Sequence, residues 1–600
     1  MALKHVFSSL AAIPTLVRVK KTLAPRPLST HDSLVLRMEQ VAARIPDKRA
    51  LIFEGRTLTW REVNAGANRY AHALQNIGIK RGDTVSMIME NRTEFVLVLA
   101  ALHKLGAVAS LINTNLKGKS LLHCMGITGA RHCIFGEECL GAIGEVRDQT
   151  EQEQRYLYLA DSGTQATPDW ADDLDALAQG QSEDNPPDTG ATTIGETALN
   201  IFTSGTTGFP KAAVVSHRRF MISAGMSYEA GLQCREDDCI YLCLPLYHGT
   251  GLFLGLGAAF ATGACVFIRR KFSGSNFLRE AREHNTTCFI YIGELCRYLL
   301  NVPEQADDAN NPIQRVMGNG LRPDVWHEFK DRFGIERIGE FYGSSEGNVG
   351  FVNLLNRDCT IGTTTMPIAL VRYDVDADEV IKDSNGRLIE VAPGEPGLLL
   401  ARITEDTRFE GYTSAEETEK KIMRNAFEDD DAWFNTGDLL RPVDVGFSLG
   451  LKHYQFVDRV GDTFRWKSEN VSTNEVGEIV NGHPQVDFCN VYGVEIPHTN
   501  GRAGMAALVL NEGESALDLE GFSRFVNEQL PAYARPVFLR IQPQLDTTGT
   551  FKMVKGDLRK EAYDIERVSD PLFVLKPGAQ VYEPLDADFI SRMSSDGAGY

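Results

Sequence analysis

The run Ile201-Phe-Thr-Ser-Gly-Thr-Thr-Gly-Phe-Pro-Lys211 constrains this chain more than any other segment. Two apolar, β-forming residues lead into a loop of Gly, Ser and Thr that closes on a lysine. Glycine allows close backbone approach and positive φ, and successive N–H groups in such a turn form a concavity for anions. Thr203, Ser204, Thr206 and Thr207 add hydroxyl donors around Gly205 and Gly208, and Lys211 adds a positive charge. A polyphosphate is the matching guest. The spacing excludes the Walker-type loop, which needs Gly-x-x-x-x-Gly-Lys-Ser/Thr; here Pro210 precedes the lysine. A bare Gly-Thr-Thr-Gly reads equally well as a surface turn. The full run, continued by the strand-like Ala212–His217, favours the anion cradle.

At 600 residues the chain exceeds what one core usually supports, so two or more domains are expected. With 43% hydrophobic and 24% charged residues, its composition is that of a globular protein. A net charge of −20 argues against general nucleic-acid binding. Any polyphosphate must then be held by local Lys, Arg and backbone N–H groups against the overall field. The 11 cysteines are scattered without a Cys-x-x-Cys pair, which reads as free, partly buried thiols in a reducing compartment. No run of eighteen apolar residues suggests a spanning helix.

The N-terminus stands apart. Nothing acidic precedes Asp32, whereas Lys4, Arg18, Lys20, Lys21 and Arg26 are basic. Leu3, Val6, Phe7, Leu10, Ile13 and Val17 recur at helical spacing. Residues 1–30 therefore read two ways: a helix docked on the main domain and interrupted near Pro14, or a membrane-surface helix or organelle transit segment. A cleaved secretory signal fits less well, because Arg18-Val-Lys-Lys21 follows the short apolar core directly.

Along the chain, Trp60–Ile77 and Thr93–Leu105 have helical periodicity, while Thr84–Met89 and Ala107–Ile112 read as buried strands. That order implies parallel strands joined by crossovers. Residues 161–196, rich in Asp, Gln, Thr and Pro, are expected to form a mobile surface connection. Pro393-Gly-Glu-Pro-Gly397 is turn chemistry before the strand-like Leu398–Ala401. A boundary is expected at Asp458–Asp462. Beyond it lie a helix (Asn474–Asn481), strands near Asp487–Val494 and Ala506–Leu510, and a helix near Leu517–Gln529.

The glycine-rich run resembles the phosphate loop of the adenylate-forming ligases, which include acyl-CoA synthetases, luciferases and peptide-synthetase adenylation domains. The similarity extends from about Asp32 to about Lys576. Its most specific stretch, Asp458-Arg-Val-Gly-Asp-Thr-Phe-Arg-Trp-Lys-Ser-Glu-Asn-Val-Ser-Thr473, resembles the branch of very-long-chain acyl-CoA synthetases and fatty-acid transport proteins. The resemblance implies an α/β fold with a large N-terminal domain of several subdomains (residues 31–460). A small α+β C-terminal domain (residues 461–600) would move on a hinge at Gly461, although a plain turn glycine is the simpler reading there.

The same resemblance distributes roles. In Phe341-Tyr-Gly-Ser-Ser-Glu346, Tyr342 would stack on adenine, with Gly343 and Ser344 lining the site. Ser345 would contact the α-phosphate and Glu346 would hold Mg²⁺ together with Thr206, as oxygen donors suit a hard cation. The turn Gly318-Asn319-Gly320 would line the adenine and acyl pockets, its glycines lying flat against ligand. Asp438 would accept both ribose hydroxyls, although Thr-Gly-Asp also fits an Asx-turn, and Arg459 would reach the ribose after closure. His248 would be a gate or acyl-carboxylate contact, where a lone histidine is otherwise structural. Leu252–Gly263 reads as a buried helix lining an apolar tunnel, and Tyr291 and Gly293 would stand nearest the substrate on the acyl-pocket wall. Lys552, in Gly-x-Phe-Lys, would serve adenylation, with Lys555 as the fallback. Arg465 would lie near the CoA entrance, where Ser468 replaces the family's usual glycine.

The implied reaction joins a fatty acid to CoA through an acyl-adenylate, consuming ATP. Its partners are therefore fatty acid, ATP and CoA, with Mg²⁺, no nucleic acid, and peripheral membrane contact through residues 1–30 as one reading. The expected location is cytoplasmic or peripheral on a membrane, with organelle targeting in a eukaryote. Nothing in the sequence assigns an oligomeric state. The rivals are another adenylating enzyme, such as an aryl- or bile-acid ligase, and a membrane-associated fatty-acid uptake protein. A peptide-synthetase activator is disfavoured because no carrier domain follows before Tyr600.

Overall fold

The strand and helix alternation of the first half resolves into two stacked sheets with helices packed between them. The computed structural model describes residues 2–150, 153–203, 209–374, 379–460, 462–466, 469–499, 501–544 and 555–600. Helix Trp60–Asn76 starts at a capping box, in which Thr59 Oγ1 accepts from Glu62 N and Glu62 accepts from Thr59 N. It buries Trp60, Val63, Ala67, Ala71 and Leu74 along one stripe. That stripe packs on helix Thr93–Lys104, which is buried on every side and touches strands of both sheets. A helix apolar all round belongs inside a large core. Its C-terminal end also buries Lys104, paired with Glu39, and burial pushes that ammonium down to about 8.

One sheet has seven strands in the order Ala171–Asp173, Arg155–Leu159, His132–Gly136, Thr84–Ile88, Val108–Leu111, Thr197–Thr203 and Lys211–Ser216. Every pair is parallel except the last, where Thr203 faces Lys211 in an antiparallel hairpin. These two strands carry the first and last residues of the glycine-rich run, Thr203 and Lys211. The other sheet has eight strands and runs Gly350–Val352, Arg337–Gly343, Arg315–Asn319, Cys288–Ile292, Cys239–Leu242, Cys265–Ile268, Arg49–Phe53 and Arg56–Thr59. Residues 250–262 form the expected buried helix. Its first half, Thr250–Leu256, has the wider π-type pitch, and Gly263 ends it at φ +88°.

Residues 161–196 lie mostly at the surface, as expected, but they also carry regular elements. This segment supplies the edge strand Ala171–Asp173 and helix Leu174–Ala178, which packs on Trp60–Asn76. The carboxylate of Glu137 orders its start by accepting from the N–H groups of Asp161, Gly163, Thr164 and Gln165 at 2.7–3.0 Å and from the hydroxyls of Ser162 and Thr164. The polar start of the segment is held by one buried acceptor, and its later part by burial of Leu174 and Ala178.

A third sheet packs strands Ile368–Val371, Gly397–Arg402 and Ala432–Val443, the last also pairing with Ile422–Arg424 and His453–Arg459. After it comes a lobe with its own core, from Phe464 to Met593. Its five-stranded sheet runs Val486–Val494, Ala503–Leu510, Phe538–Ile541, Leu572–Val574 and Glu583–Pro584, flanked by helices Thr473–Asn481 and Leu519–Gln529. The expected elements there differ only at their ends.

The N-terminal residues form two short helices, Ala2–Ala11 and Ile13–Thr22, parted near Pro14. They are docked on the main domain, as one of the two readings required. No helix among the described residues is long and apolar enough to cross a membrane. All eleven cysteines are free, and ten are buried.

Candidate active site

Among the described residues, several sequence-predicted side chains fall into connected groups. Tyr342 ends the strand Arg337–Gly343, and its hydroxyl donates to Asp438 Oδ2 at 2.6 Å. Asp438 faces Arg459 in the antiparallel register of the third sheet, with Arg459 Nε 3.5 Å from Asp438 Oδ1. Burial raises the Asp438 pKa, opposed by Arg459 and by the Tyr342 hydroxyl. Phe351 and Phe456 flank the Tyr342 ring at 5.5 and 6.4 Å. An aromatic face, a shielded carboxylate and a half-exposed guanidinium thus form one connected group.

A second group lies at the mouth of the glycine-rich hairpin. The strand Lys211–Ser216 is bridged on its free side by Gly411–Thr413, which brings Tyr412 beside it. The Tyr412 hydroxyl donates to Glu346 Oε1 at 3.0 Å, and the Lys211 ammonium lies 5.8 Å over the Tyr412 ring while pairing with Glu417. Arg219 donates to the Ser344 carbonyl, and Ser344 Oγ accepts from Gly347 N at 3.1 Å, shaping the turn that carries Ser345. The Glu346 carboxylate is the kind of oxygen donor a hard divalent cation takes, while no group of three His, Cys, Asp or Glu side chains stands together for a metal among the described residues. Ser204, Gly205, Thr206, Thr207 and Gly208 lie outside the described residues, as do Gly461, Ser468 and Lys552.

The turn Gly318-Asn319-Gly320 is gripped from two sides. Glu340 Oε1 accepts from Gly320 N at 2.6 Å and Leu321 N at 3.1 Å, and its other oxygen accepts from the Tyr291 hydroxyl. Burial pushes the Glu340 carboxyl up to about 8, against the pull of those three donors. On the other side, Thr250 Oγ1 donates to Asn319 Oδ1 at 3.2 Å, joining the turn to the π-type helix that follows His248. His248 itself sits in the half-buried turn before that helix, its ring 4.9 Å from that of Tyr247.

Two expectations need correcting here. Gly318 is small because a Cβ would stand 2.0 Å from the Tyr291 carbonyl, and Gly293 because a Cβ would stand 1.7 Å from the Gly320 carbonyl. Backbone, not ligand, claims that space, whereas Gly320 is required by φ +80°. Tyr291 is fully buried, with its hydroxyl on Glu340, so it faces the sealed interior rather than an acyl pocket.

At the lobe boundary Asp458 accepts from Thr473 N at 2.6 Å, Arg459 N at 2.9 Å, Thr473 Oγ1 at 3.0 Å and Asn474 Nδ2 at 3.2 Å. Lys555 Nζ donates to Thr473 Oγ1 at 2.8 Å and lies 3.5 Å from Asp462, which also pairs with Arg559. Burial lowers the Lys555 pKa. Lys555, the fallback for Lys552, is thus engaged in the boundary itself. Arg465 stands within the C-terminal lobe on the hairpin Phe464–Trp466/Glu469–Val471, its carbonyl accepting from Arg502 N at 2.7 Å. The sequence reading missed Glu340, Arg219 and Tyr412. Only Glu340 carried a signal, since it immediately precedes Phe341–Glu346 on a strand whose successive residues face opposite ways.

Comparison with known proteins decides the family. A model described as AMP-binding enzyme matches residues 38–413, and one described as AMP-binding enzyme C-terminal domain matches residues 475–552. This chain is an AMP-binding enzyme. A medium/long-chain fatty-acid–CoA ligase of Mycobacterium tuberculosis is 40% identical over 98% of this chain and 95% of its own length. Long-chain fatty acid transport protein 6 of Mus musculus is 38% identical over 92% of this chain and 88% of its own. Among solved structures, an anthranilate CoA ligase in complex with anthranoyl-AMP superposes with a TM-score of 0.76 at 22% identity, covering 90% of this AMP-binding enzyme and 99% of the ligase. That likeness establishes the shared fold of a large N-terminal and a small C-terminal domain.

Proposed function

We propose that this AMP-binding enzyme is a long-chain or very-long-chain fatty acyl-CoA synthetase. The observation that carries the reading is the 40% identity to a medium/long-chain fatty-acid–CoA ligase, which spans both lobes and nearly the whole chain. In the first step a carboxylate oxygen attacks the α-phosphorus of ATP and the bond to pyrophosphate breaks, leaving an acyl-adenylate. In the second step the CoA thiol sulfur attacks the acyl carbon, AMP leaves, and the thiol proton passes to solvent. A free carboxylate has a poor leaving group; the adenylate supplies a good one.

The first step concentrates negative charge, so it needs positioning and electrostatic stabilisation rather than a protein nucleophile. In this reading the cradle Thr203–Lys211 holds the phosphates, Ser345 contacts the α-phosphate, and Lys552 comes from the C-terminal lobe. Tyr342 presents its ring to adenine while Gly343, Ser344, Asn319 and Gly320 line the pocket. Asp438 and Arg459 hold the ribose. Glu346 and Thr206 would hold Mg²⁺, which when bound neutralises phosphate charge. His248 and the apolar run Leu252–Leu256 border the acyl chain. The lobe of residues 461–600 turns about Gly461 between steps, bringing Arg465 toward CoA.

Relatives named long-chain fatty acid transport proteins favour a second reading, a membrane-associated fatty-acid uptake protein. A panel of fatty and aryl carboxylates, assayed for CoA-dependent AMP release, tests the primary reading. Release is expected with long-chain fatty acids. Release confined to aryl acids would reassign the substrate, and none with any acid would end the ligase reading.

A further inference from the structure

The N-terminal helix pair carries an apolar face with no work inside the molecule. Among the described residues, the exposed large apolar side chains include Phe7 (69%), Val17 (63%), Leu10 (47%), Phe447 (45%) and Ile13 (43%). Four belong to the helices Ala2–Ala11 and Ile13–Thr22. The fifth belongs to the loop those helices grip, since Phe447 O accepts from Ser9 Oγ at 2.9 Å. Isolated exposed apolar residues need no explanation, but a cluster on one element does.

The cluster is not a frayed end. Arg357, itself buried, donates to Ser8 Oγ at 2.9 Å, to Ser9 Oγ at 2.7 Å, to His5 O at 3.1 Å and to Phe447 O at 2.8 Å. Arg18 pairs with Glu229 at 3.1 Å. Leu16, Val19 and Leu23 pack inward on the main core. The docked face is therefore complete without Phe7, Leu10, Ile13 or Val17, which all face away from it.

Charge selects the occupant. The chain carries −20 overall, yet residues 1–31 contain five Lys and Arg and no Asp or Glu; Arg18 and Arg26 are paired with Glu229 and Asp32, so the charge offered outward is that of the lysines. Lys20 and Lys21 are exposed at the end of the second helix, beside the apolar face. Apolar residues flanked by lysines on a short helix suit an interface with anionic lipid headgroups. A second copy of the chain would bring the same positive charges together.

We propose that the outward face of residues 5–21, with Phe447, seats the protein on an anionic lipid bilayer. The second helix packs against residues Met226–Gly231, which in turn touch the helix beginning at Thr250. Docking there sets the apolar layer beside the phase in which long acyl chains dissolve. Binding itself does not depend on the ligase reading, because its test reads association and not turnover.

The test is flotation of the full-length protein with phosphatidylcholine vesicles, with and without phosphatidylglycerol. Wild type is expected to float with the anionic vesicles, to be released by high salt, and to stay behind with neutral ones. F7E/V17E is expected to lose binding, and K20E/K21E to bind roughly tenfold more weakly or worse. All of these positions are exposed, and an unchanged thermal midpoint would confirm that each variant folds. Wild type that ignores anionic vesicles, or F7E/V17E that binds as wild type does, would overturn the proposal. So would light scattering that finds a dimer dispersed by F7E/V17E, since the face would then belong to a second copy.

Discussion

Asp438 and Asp458 have the same chemistry and nearly the same address, but their surroundings give them different work. They lie on paired strands one register position apart, Asp438 opposite Arg459 and Leu439 opposite Asp458. Burial raises the pKa of both carboxyls. Successive positions on a strand face opposite ways, so one aspartate turns toward Tyr342 and the other toward Thr473, Asn474 and Lys555. The first belongs to the candidate nucleotide site; the second ties the C-terminal lobe to the main domain. One strand pair thus links the group around Tyr342 to the placement of the lobe, with Arg459 between them.

If that division holds, substitutions on the two sides should separate by readout. The largest effect is expected from Lys552→Ala, slowing acyl-adenylate formation by about a hundredfold or more, as loss of an electrostatic stabiliser does, with folding intact. Rapid-quench single turnovers without CoA measure it, and a wild-type rate would remove Lys552 from the chemistry. Next, Asp438→Ala should raise the KM for ATP by about tenfold to a hundredfold, the worth of hydrogen bonds to a charged group. Unchanged ATP saturation would break the comparison on the nucleotide side.

Asp458→Asn should leave ATP saturation as it is and lower overall turnover by roughly tenfold, with faster amide exchange across Thr473–Asn481. A raised KM for ATP with normal exchange would mean that the two aspartates serve one site.

Glu340, a third buried carboxylate, grips a turn on one lobe only, so its effect is read in stability and is the smallest of these on turnover. Its folded value of about 8 lies above the ordinary 4.5. A raised carboxyl pKa contributes stability that is full below about 4.5 and is lost as pH rises through about 8. The thermal midpoint of the wild type should therefore fall across that window relative to Glu340→Gln. Parallel pH profiles would show that the carboxyl is ionised throughout.

The residues gathered around Tyr342 were the more legible in sequence, because their cues are local. Phe341–Glu346, Thr436–Asp438 and Asp458–Arg459 are short strings singled out by their resemblance to a family, and the helices and strands around them follow from hydrophobic period. The misses all depend on contacts between distant segments. Tyr412 reaches the hairpin mouth only through the bridge to Ala213. Gly318 owes its size to the Tyr291 carbonyl on a neighbouring strand. Residues 161–165 are ordered by Glu137, more than twenty positions earlier. Lys555 looked interchangeable with Lys552 along the chain, and only the fold gives it Thr473 and Asp462 as partners.

The central claim is that a carboxylate is activated on ATP before any thiol takes part. Exchange of radiolabelled pyrophosphate into ATP, run without CoA, reads that step alone. The account predicts exchange that requires a fatty acid and disappears in Lys552→Ala. Exchange absent with every carboxylate offered, from a folded protein, would contradict it.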